Sequence, residues 1–139
     1  MLTNPALGEG RPVICCRSFL STLVYQQETW DLCFLQGLYQ CSQYPDVTII
    51  LDVDPEMGAS RRAKRVGKDE YYEKLNMQRR FRQRYIDLVE AEDLGCSVVL
   101  IDGTGDPYEV FGRVKEALLD GLAYDEPKLT AIKKAMGIQ

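Results

Sequence analysis

Basic residues crowd into one stretch of this 139-residue chain, residues 61–84. Ten of the 17 Lys and Arg residues lie there against three acidic ones, so the stretch carries about +7 charges and the remainder about −11. A guanidinium fork grips phosphate oxygens in pairs, so one interpretation is a lid that faces phosphate groups. The other interpretation is a solvated helix whose arginines pair with carboxylates.

Five cysteines and no histidine limit the chemistry that the chain can perform. Without an imidazole base, Ser-His and Cys-His catalysis are excluded. No CxxC spacing occurs, so no metal site is predicted. We expect free thiols in a reducing cytoplasm. The net charge of −4 and the lack of a long apolar run predict neither nucleic acid nor membrane as a partner.

Hydrophobic periodicity predicts the elements that position these residues. Short apolar runs predict strands at residues 12–16, 47–53 and 97–102. Apolar residues spaced three or four apart predict three helices with one apolar face each. These faces are Trp30, Phe34, Leu38 and Cys41 at 30–41; Met77, Phe81, Tyr85 and Leu88 at 77–88; and Val110, Val114, Leu118 and Leu122 at 110–122. A last helix is predicted near Pro127, between an Asp125 cap and a Gly137 stop. This alternation predicts one α/β domain with a three-layer parallel sheet. Two strands end near aspartates, Asp52 and Asp102, where ligands of such sheets bind.

Several short motifs follow one another along the chain. Residues 4–8 read NPALG, and the strand after them leads into Cys16-Arg17-Ser18-Phe19 and then Ser21-Thr22-x-x-Tyr25. Residues 45–56 read PDVTIILDVDPE, and arginines follow from Arg61 to Arg65. The set resembles the thymidylate kinase family over nearly the whole chain: its Asp-Arg-aromatic motif, its Ser-Thr-x-x-Tyr motif, its strand and turn, and its lid, here at about residues 57–70.

The resemblance implies a truncated P-loop nucleoside-monophosphate-kinase fold and transfer of phosphate from ATP to dTMP with Mg²⁺, giving dTDP. It implies that Arg17 contacts the acceptor phosphate and that Arg61 and Arg65 neutralise the transferring phosphoryl group. The resemblance further implies that six residues contact the base or the sugar of dTMP: Ser21, Thr22, Tyr25, Gln26, Tyr72 and Glu73. It also implies that Asp102 and Thr104 lie near adenine.

The chain also departs from the family pattern. Family members begin with a strand and a G-x-x-x-x-G-K-[ST] phosphate loop, and none of the 11 glycines here fits that motif. We therefore expect the chain alone to lack that strand and to be incomplete or inactive. Cys16 stands in place of the motif aspartate, and a neutral thiol is a poor ligand for Mg²⁺.

Loss of the first strand would leave a gap between the strands at 12–16 and 47–53. Either these two strands pair directly, or a homodimer or a partner chain fills the gap, because an open strand edge invites association.

Three functional alternatives stay open. The chain is a thymidylate-kinase-like enzyme, a non-catalytic relative that binds a nucleotide or forms an interface, or a kinase for another nucleoside monophosphate. A nucleic-acid binder is disfavoured because the domain is acidic and its basic stretch lacks interleaved aromatic residues.

Overall fold

The computed structural model describes residues 3–40, 43–63, 74–91, 94, 96–123 and 125–137. This part of the chain forms the following elements: α1 (Thr3–Gly8), α2 (Phe19–Gln26), α3 (Leu32–Tyr39), β1 (Val47–Asp52), α4 (Pro55–Ala63), α5 (Leu75–Glu90), β2 (Ser97–Asp102), α6 (Pro107–Gly121) and α7 (Glu126–Met136). The order confirms the α/β class. Within the described ranges, every helix is too short or too polar to cross a bilayer.

Strands β1 and β2 pair in parallel along their whole length. The register runs from Val47 opposite Ser97 to Asp52 opposite Asp102, so both aspartates lie at the same carboxyl-terminal edge. This pairing confirms the predicted strands at 47–53 and 97–102 to within one residue. A parallel pair needs a long crossover, and here α4 and α5 lie between the two strands in sequence.

Successive strand residues point to opposite faces of this small sheet, and helices contact both faces. Leu51 and Leu100 stay 50% and 41% exposed. Val47 lies against the backbone of Gly121 in α6, with its Cγ2 only 3.1 Å from where a Cβ on that glycine would be. Ile50 and Val98 lie on the other face and pack against a buried cluster of α2, α3 and α5. The described sheet has two strands, whereas three strands were predicted for the three-layer domain.

The buried cluster is centred on α2. Leu20, Leu23 and Val24 of α2 are at most 2% exposed, and so are Leu35 of α3 and Phe81 of α5. The rest of the cluster comes from α5 and the residues after it: Met77, Leu88 and Leu94. Full burial of one such side chain stabilises a fold by about 1.5–3 kcal/mol. This packing holds α2 against α3 and α5.

The predicted strand at residues 12–16 is wrong. These residues adopt neither helix nor strand, and Ile14 is 94% exposed. An apolar run becomes a strand only where a neighbouring edge pairs with its backbone groups, and no described strand lies beside it. Direct pairing of residues 12–16 with β1 is also wrong, because β1 pairs with β2 alone among the described strands.

The predicted helix at 30–41 forms as α3, but its orientation differs from the prediction. Asp31 caps it by accepting a hydrogen bond from the Phe34 N–H at 2.8 Å. Trp30 and Phe34 stack at 5.0 Å between ring centroids and stay about half exposed, and Leu38 is also exposed. Leu35 enters the core instead. The expected inward face therefore lies at the surface.

The remaining predicted helices form as expected. Three predicted core positions of α5 are buried: Met77, Phe81 and Leu88. The predicted helix at 110–122 forms as α6, which begins earlier, at Pro107. The Asp125 carboxylate accepts a hydrogen bond from the Lys128 N–H at the start of α7, and Gly137 ends α7 with a φ of 66°. The predicted cap and stop are confirmed.

Candidate functional site

Arg17 has an unusual backbone conformation just before α2. Its φ is 67°, the one positive value among the non-glycine residues that the structure describes. Such a conformation costs a residue with a Cβ about 1–3 kcal/mol and is concentrated at functional sites. The guanidinium carbon lies 5.3 Å from the centroid of the Tyr25 ring. In the described ranges no carboxylate pairs with Arg17, so its donors can bind an anion.

Tyr25 connects this arginine to the protein core. Its ring lies 4.4 Å from the ring of Phe81, centroid to centroid, at an interplanar angle of 51°. Phe81 is 2% exposed and belongs to the buried cluster. The Tyr25 ring is thus held on its inner side by a rigid core residue, and it forms a fixed platform under the Arg17 guanidinium.

Two consecutive hydroxyl groups on α2 are each held by a tyrosine from another helix. The Ser21 Oγ lies 3.1 Å from the Tyr85 Oη of α5. The Tyr39 hydroxyl of α3 donates to the Thr22 Oγ1 at 2.9 Å. Burial raises the pKa of Tyr85, the hydrogen bond to Ser21 opposing that effect, so this phenol stays protonated at neutral pH. Ser21 and Thr22 therefore point to different neighbours.

Gln26 is the last residue of α2, and its side chain is exposed. Its carbonyl accepts hydrogen bonds from the N–H groups of Thr29 and Trp30, both at 2.9 Å. These bonds end the helix. No described contact connects the Gln26 side chain with Arg17 or Ser21.

A second group of polar residues lies at the carboxyl-terminal edge of the sheet. Asp102 accepts hydrogen bonds from the Thr104 N–H at 2.9 Å and the Thr104 hydroxyl at 2.8 Å, and these two bonds lower the pKa of Asp102. The Arg113 Nη1 donates to the carbonyl oxygens of Asp102 and Thr104, both at 2.7 Å. This turn is therefore well fixed. The role of Asp102 and Thr104 near adenine stays a prediction.

The basic stretch at 61–84 is described in part. Four arginines of α5 form ion pairs: Arg79 with Glu56, Arg80 with Glu28, Arg82 with Asp52 and Arg84 with Glu28. These pairs favour the salt-bridged interpretation for α5. Arg61 is exposed on α4, and no described contact joins it to Arg17. The predicted site residues Arg65, Tyr72 and Glu73, and residues 64–70 of the predicted lid, lie outside the described residues.

The predicted residues that come together are Arg17, Ser21 and Tyr25. Arg17 and Tyr25 are in direct contact, and both are close enough to Tyr85, the partner of Ser21, to influence the pKa of its hydroxyl. These three residues, on α2 and just before it, form the Arg17 patch, in which the guanidinium lies over the Tyr25 ring. A guanidinium in this place can bind a phosphate group.

Cys16 is exposed next to Arg17, where the resemblance places an aspartate in the family. Mg²⁺ prefers oxygen ligands in octahedral geometry. In the part of the chain that the structure describes, no three Cys, Asp or Glu side chains lie close enough to hold one ion together. Mg²⁺ is usually held by one or two carboxylates together with waters and substrate phosphates, so most of its ligands would come from the bound nucleotide and from water.

The sequence prediction missed three aromatic residues of this site. Phe81 and Tyr85 follow the helical apolar period of α5 and were assigned to its core face, and Tyr39 was not singled out. Their sequence signal is weak, because a tyrosine at an apolar helix position packs its ring like any core residue. The hydroxyl gains its role only when another helix brings Ser21 or Thr22 against it.

Comparison with known proteins decides the family. Residues 2–112 match the family model described as thymidylate kinase. The chain belongs to the thymidylate kinase family. Among its relatives, the thymidylate kinase of Ruegeria pomeroyi is 35% identical over 125 residues, which are 86% of this chain and 58% of the relative. That of Bradyrhizobium diazoefficiens is 37% identical over 130 residues, which are 86% of this chain and 55% of the relative.

A third thymidylate kinase, from Desulfosudis oleivorans, is 33% identical over 130 residues, 84% of this chain and 60% of the relative. The chain thus spans between half and two thirds of the length of these thymidylate kinases.

Proposed function

We propose that this chain is the acceptor part of a thymidylate kinase, and that it binds dTMP at the start of α2. The observation that carries the proposal is the Arg17 guanidinium, which lies over the Tyr25 ring and pairs with no carboxylate among the described residues. A guanidinium in this state binds the dTMP phosphate through charge-assisted hydrogen bonds. Family membership supports the same assignment.

The roles of the other residues follow from this placement. Ser21, Thr22, Tyr25 and Gln26 contact the thymine base, and Tyr72 and Glu73 contact the sugar. Arg61 and Arg65 belong to a lid over the transferring phosphoryl group, and Asp102 and Thr104 lie near adenine. Phosphoryl transfer depends on positioning and on positive charge more than on covalent chemistry, which agrees with an arginine-rich set.

The proposed reaction gives dTDP from ATP and dTMP. Because no G-x-x-x-x-G-K-[ST] motif occurs in these 139 residues, the grip on the ATP phosphates comes from a separate segment in this proposal. The chain alone is therefore expected to bind dTMP and to turn over no ATP.

We further propose that this segment adds a strand to the free edge of β1. Two described strands make a parallel sheet smaller than is usual for a stable one, and β1 pairs on one side only. Val13 and the 94% exposed Ile14 lie in an apolar run that has no partner among the described strands. The occupant of this edge is the strand that leads into the family's phosphate loop, which would widen the parallel sheet by one strand.

The first experiment is a calorimetric titration of dTMP into the wild-type chain and into Arg17→Gly. Glycine removes the guanidinium and tolerates the positive φ without strain, so the fold is retained. We expect Arg17→Gly to lower dTMP affinity about tenfold or more, the range for a lost charged hydrogen bond. Arg11→Ala, which removes an exposed arginine paired with Glu9, is the matched control. Absence of dTMP binding by the wild-type chain contradicts the proposal.

The second experiment supplies the proposed separate segment. The segment with the strand and phosphate loop of the Ruegeria pomeroyi thymidylate kinase is expressed separately and mixed with this chain. We expect a one-to-one complex in sedimentation and dTDP formation that needs both components. Ile14→Asp should weaken the complex, whereas Tyr108→Asp, at an 88% exposed site on α6, should not. Self-association without binding of the added segment would mean that a second copy covers the edge.

A non-catalytic relative that binds a nucleotide is the second candidate, and Cys16 favours it. A cysteine beside Arg17 supplies no carboxylate to the reacting groups. Cys16→Asp restores the carboxylate and separates the two candidates in the two-component assay. Activity that appears only in this variant identifies the wild-type chain as non-catalytic.

Parallel titrations with dUMP and dCMP test whether another nucleoside monophosphate is the acceptor.

A further inference from the structure

The hydrogen bond between Ser21 and Tyr85 joins two helices across 64 residues of sequence. The Ser21 Oγ and the Tyr85 Oη lie 3.1 Å apart in a partly buried position. A serine hydroxyl on a helix surface samples several rotamers, and a fixed partner selects one of them. Tyr85 is such a partner, because its ring packs against the buried cluster.

Contacts of Arg84, close to this hydrogen bond, fix the position of α2 relative to α5. Arg84, next to Tyr85, donates from Nη1 to the Val24 carbonyl of α2 at 2.9 Å and forms an ion pair with Glu28 at 3.0 Å. Val24 is fully buried. The backbone of α2 therefore cannot slide along α5, and the Tyr85 hydroxyl stays within reach of Ser21.

The surroundings of Tyr85 place it at the Arg17 patch and not in an unrelated part of the core. Arg17 and Tyr25 are the charged and titratable neighbours that act on its hydroxyl besides Ser21. Tyr85 thus contacts one residue assigned to dTMP, Ser21, and packs against the same buried cluster as another, Tyr25.

We propose that Tyr85 is a positioning residue for base recognition, which orients the Ser21 hydroxyl toward the pyrimidine edge of the bound nucleotide. This inference rests on the proposed dTMP site and adds a residue to it. An oriented hydroxyl discriminates between donors and acceptors on a base edge, whereas a freely rotating one adapts to either. Tyr85 acts through Ser21 and needs no contact of its own with the nucleotide.

Tyr85→Phe tests the inference, because it removes the hydroxyl and keeps the ring. Titrations with dTMP and with thymidine separate base recognition from phosphate recognition. We expect Tyr85→Phe to weaken both ligands by the same factor, about three- to tenfold, the range for one neutral hydrogen bond. Arg17→Gly should weaken dTMP and leave thymidine unchanged. Tyr108→Phe, which alters an 88% exposed tyrosine, should change neither affinity.

A double-mutant cycle excludes a purely structural effect. If Tyr85 acts through Ser21, then Tyr85→Phe added to Ser21→Ala produces no further loss of affinity. Equal losses in the presence and absence of the Ser21 hydroxyl would overturn the inference, and so would a Tyr85→Phe variant with wild-type affinity for both ligands. If the wild-type chain binds neither dTMP nor thymidine, the proposed function fails, and the inference that rests on it fails too.

Discussion

The Arg82 guanidinium binds both oxygens of the Asp52 carboxylate, with Nε to Oδ1 at 2.6 Å and Nη2 to Oδ2 at 2.7 Å. Arg82 lies in the middle of α5, and Asp52 is the last residue of β1. This two-pronged pair therefore ties the long helix to the carboxyl-terminal edge of the sheet. It also explains why this arginine of the basic stretch is not free to bind phosphate.

Arg82→Ala is expected to destabilise the fold by about 1 kcal/mol, the upper range for an ion pair that remains partly screened by solvent. The side chains of Arg82 and Asp52 are 42% and 23% exposed, and screening by solvent keeps the expected loss of stability small. Arg82→Lys should recover little, because lysine cannot form the fork. Urea denaturation at low and at 1 M salt measures the loss, which should shrink at high salt. Equal stability of Arg82→Ala and wild type would contradict the assignment.

Replacement of Gly103 and of Gly112 by alanine is expected to change the stability of the fold in opposite directions. A Cβ on Gly103 would lie 2.7 Å from the Val53 Cγ2 and 3.1 Å from the Asp52 carbonyl oxygen. Gly103→Ala should therefore destabilise the fold by about 1–3 kcal/mol. Gly112 lies inside α6 with open space around it, so Gly112→Ala should stabilise by about 0.5–1 kcal/mol. Thermal melts compare the two variants, and a shift of the same sign in both would refute the packing at Gly103.

Phe81 is expected to be the most sensitive core position near the site. It is 2% exposed and carries the Tyr25 ring at 4.4 Å. Phe81→Ala should cost about 3–5 kcal/mol of unfolding free energy. The milder Phe81→Leu is expected to stay folded and to weaken dTMP binding, because the Tyr25 platform loses its support. Phe111→Ala, at a 58% exposed site, should change stability by less than about 0.5 kcal/mol. Urea denaturation and dTMP titration give the two readouts.

Acid is expected to destabilise the fold as three carboxylates become protonated. Hydrogen bonds from Thr104 lower the pKa of Asp102, those from Arg79 lower the pKa of Glu56, and those from Lys128 lower the pKa of Asp125. A carboxyl with a lowered pKa in the folded state stabilises it at pH values above the ordinary pKa, 3.8 for Asp and 4.5 for Glu. This contribution disappears as the pH falls through the lowered value.

Urea midpoints measured from neutral pH down to about pH 3 should therefore decline below the ordinary carboxyl range. Asp102→Asn and Thr104→Val should each reduce the slope of that decline, since each removes part of the Asp102 interaction. A slope that is identical in wild type and Asp102→Asn would show that this turn does not contribute.

The strands and helices that depend on their own residues were predictable from sequence. Strands β1 and β2 are β-branched and nearly continuous, and α5 repeats its apolar residues at helical spacing, so each pattern has one reasonable structure. The cap at Asp125 and the stop at Gly137 are local signals of the same kind. In these cases the neighbouring residues determine the structure.

The wrong predictions concern features that depend on contact with another part of the chain. The run at residues 12–16 has the composition of a strand, but pairing needs a second edge that the described chain does not place there. Trp30, Phe34 and Leu38 have the spacing of a buried face, yet the core accepts Leu35 instead. Tertiary contacts, which a single sequence does not display, decide both outcomes.

The candidate site was predictable where a motif assigns residues and not where packing supports them. Arg17, Ser21 and Tyr25 were found through motifs, and the structure brings them together. Tyr85 and Phe81 come from a helix 60 residues away, and no local pattern connects them with α2. Arg61 was also found through a motif, and its role as a lid arginine stays a prediction, because no described contact tests it.

The parallel register of Val47 with Ser97 also has a consequence for synthesis of the chain. The two strands lie 50 positions apart, and a ribosome adds about 5–20 residues per second. Strand β1 therefore emerges roughly 3–10 s before its partner exists, with both edges open to other nascent chains. The basic stretch at 61–84 is made in that interval, and its like charges repel neighbouring chains on the same messenger. We expect ribosome-bound chains arrested before β2 is made to aggregate more readily than released full-length chains, in which β1 is paired with β2.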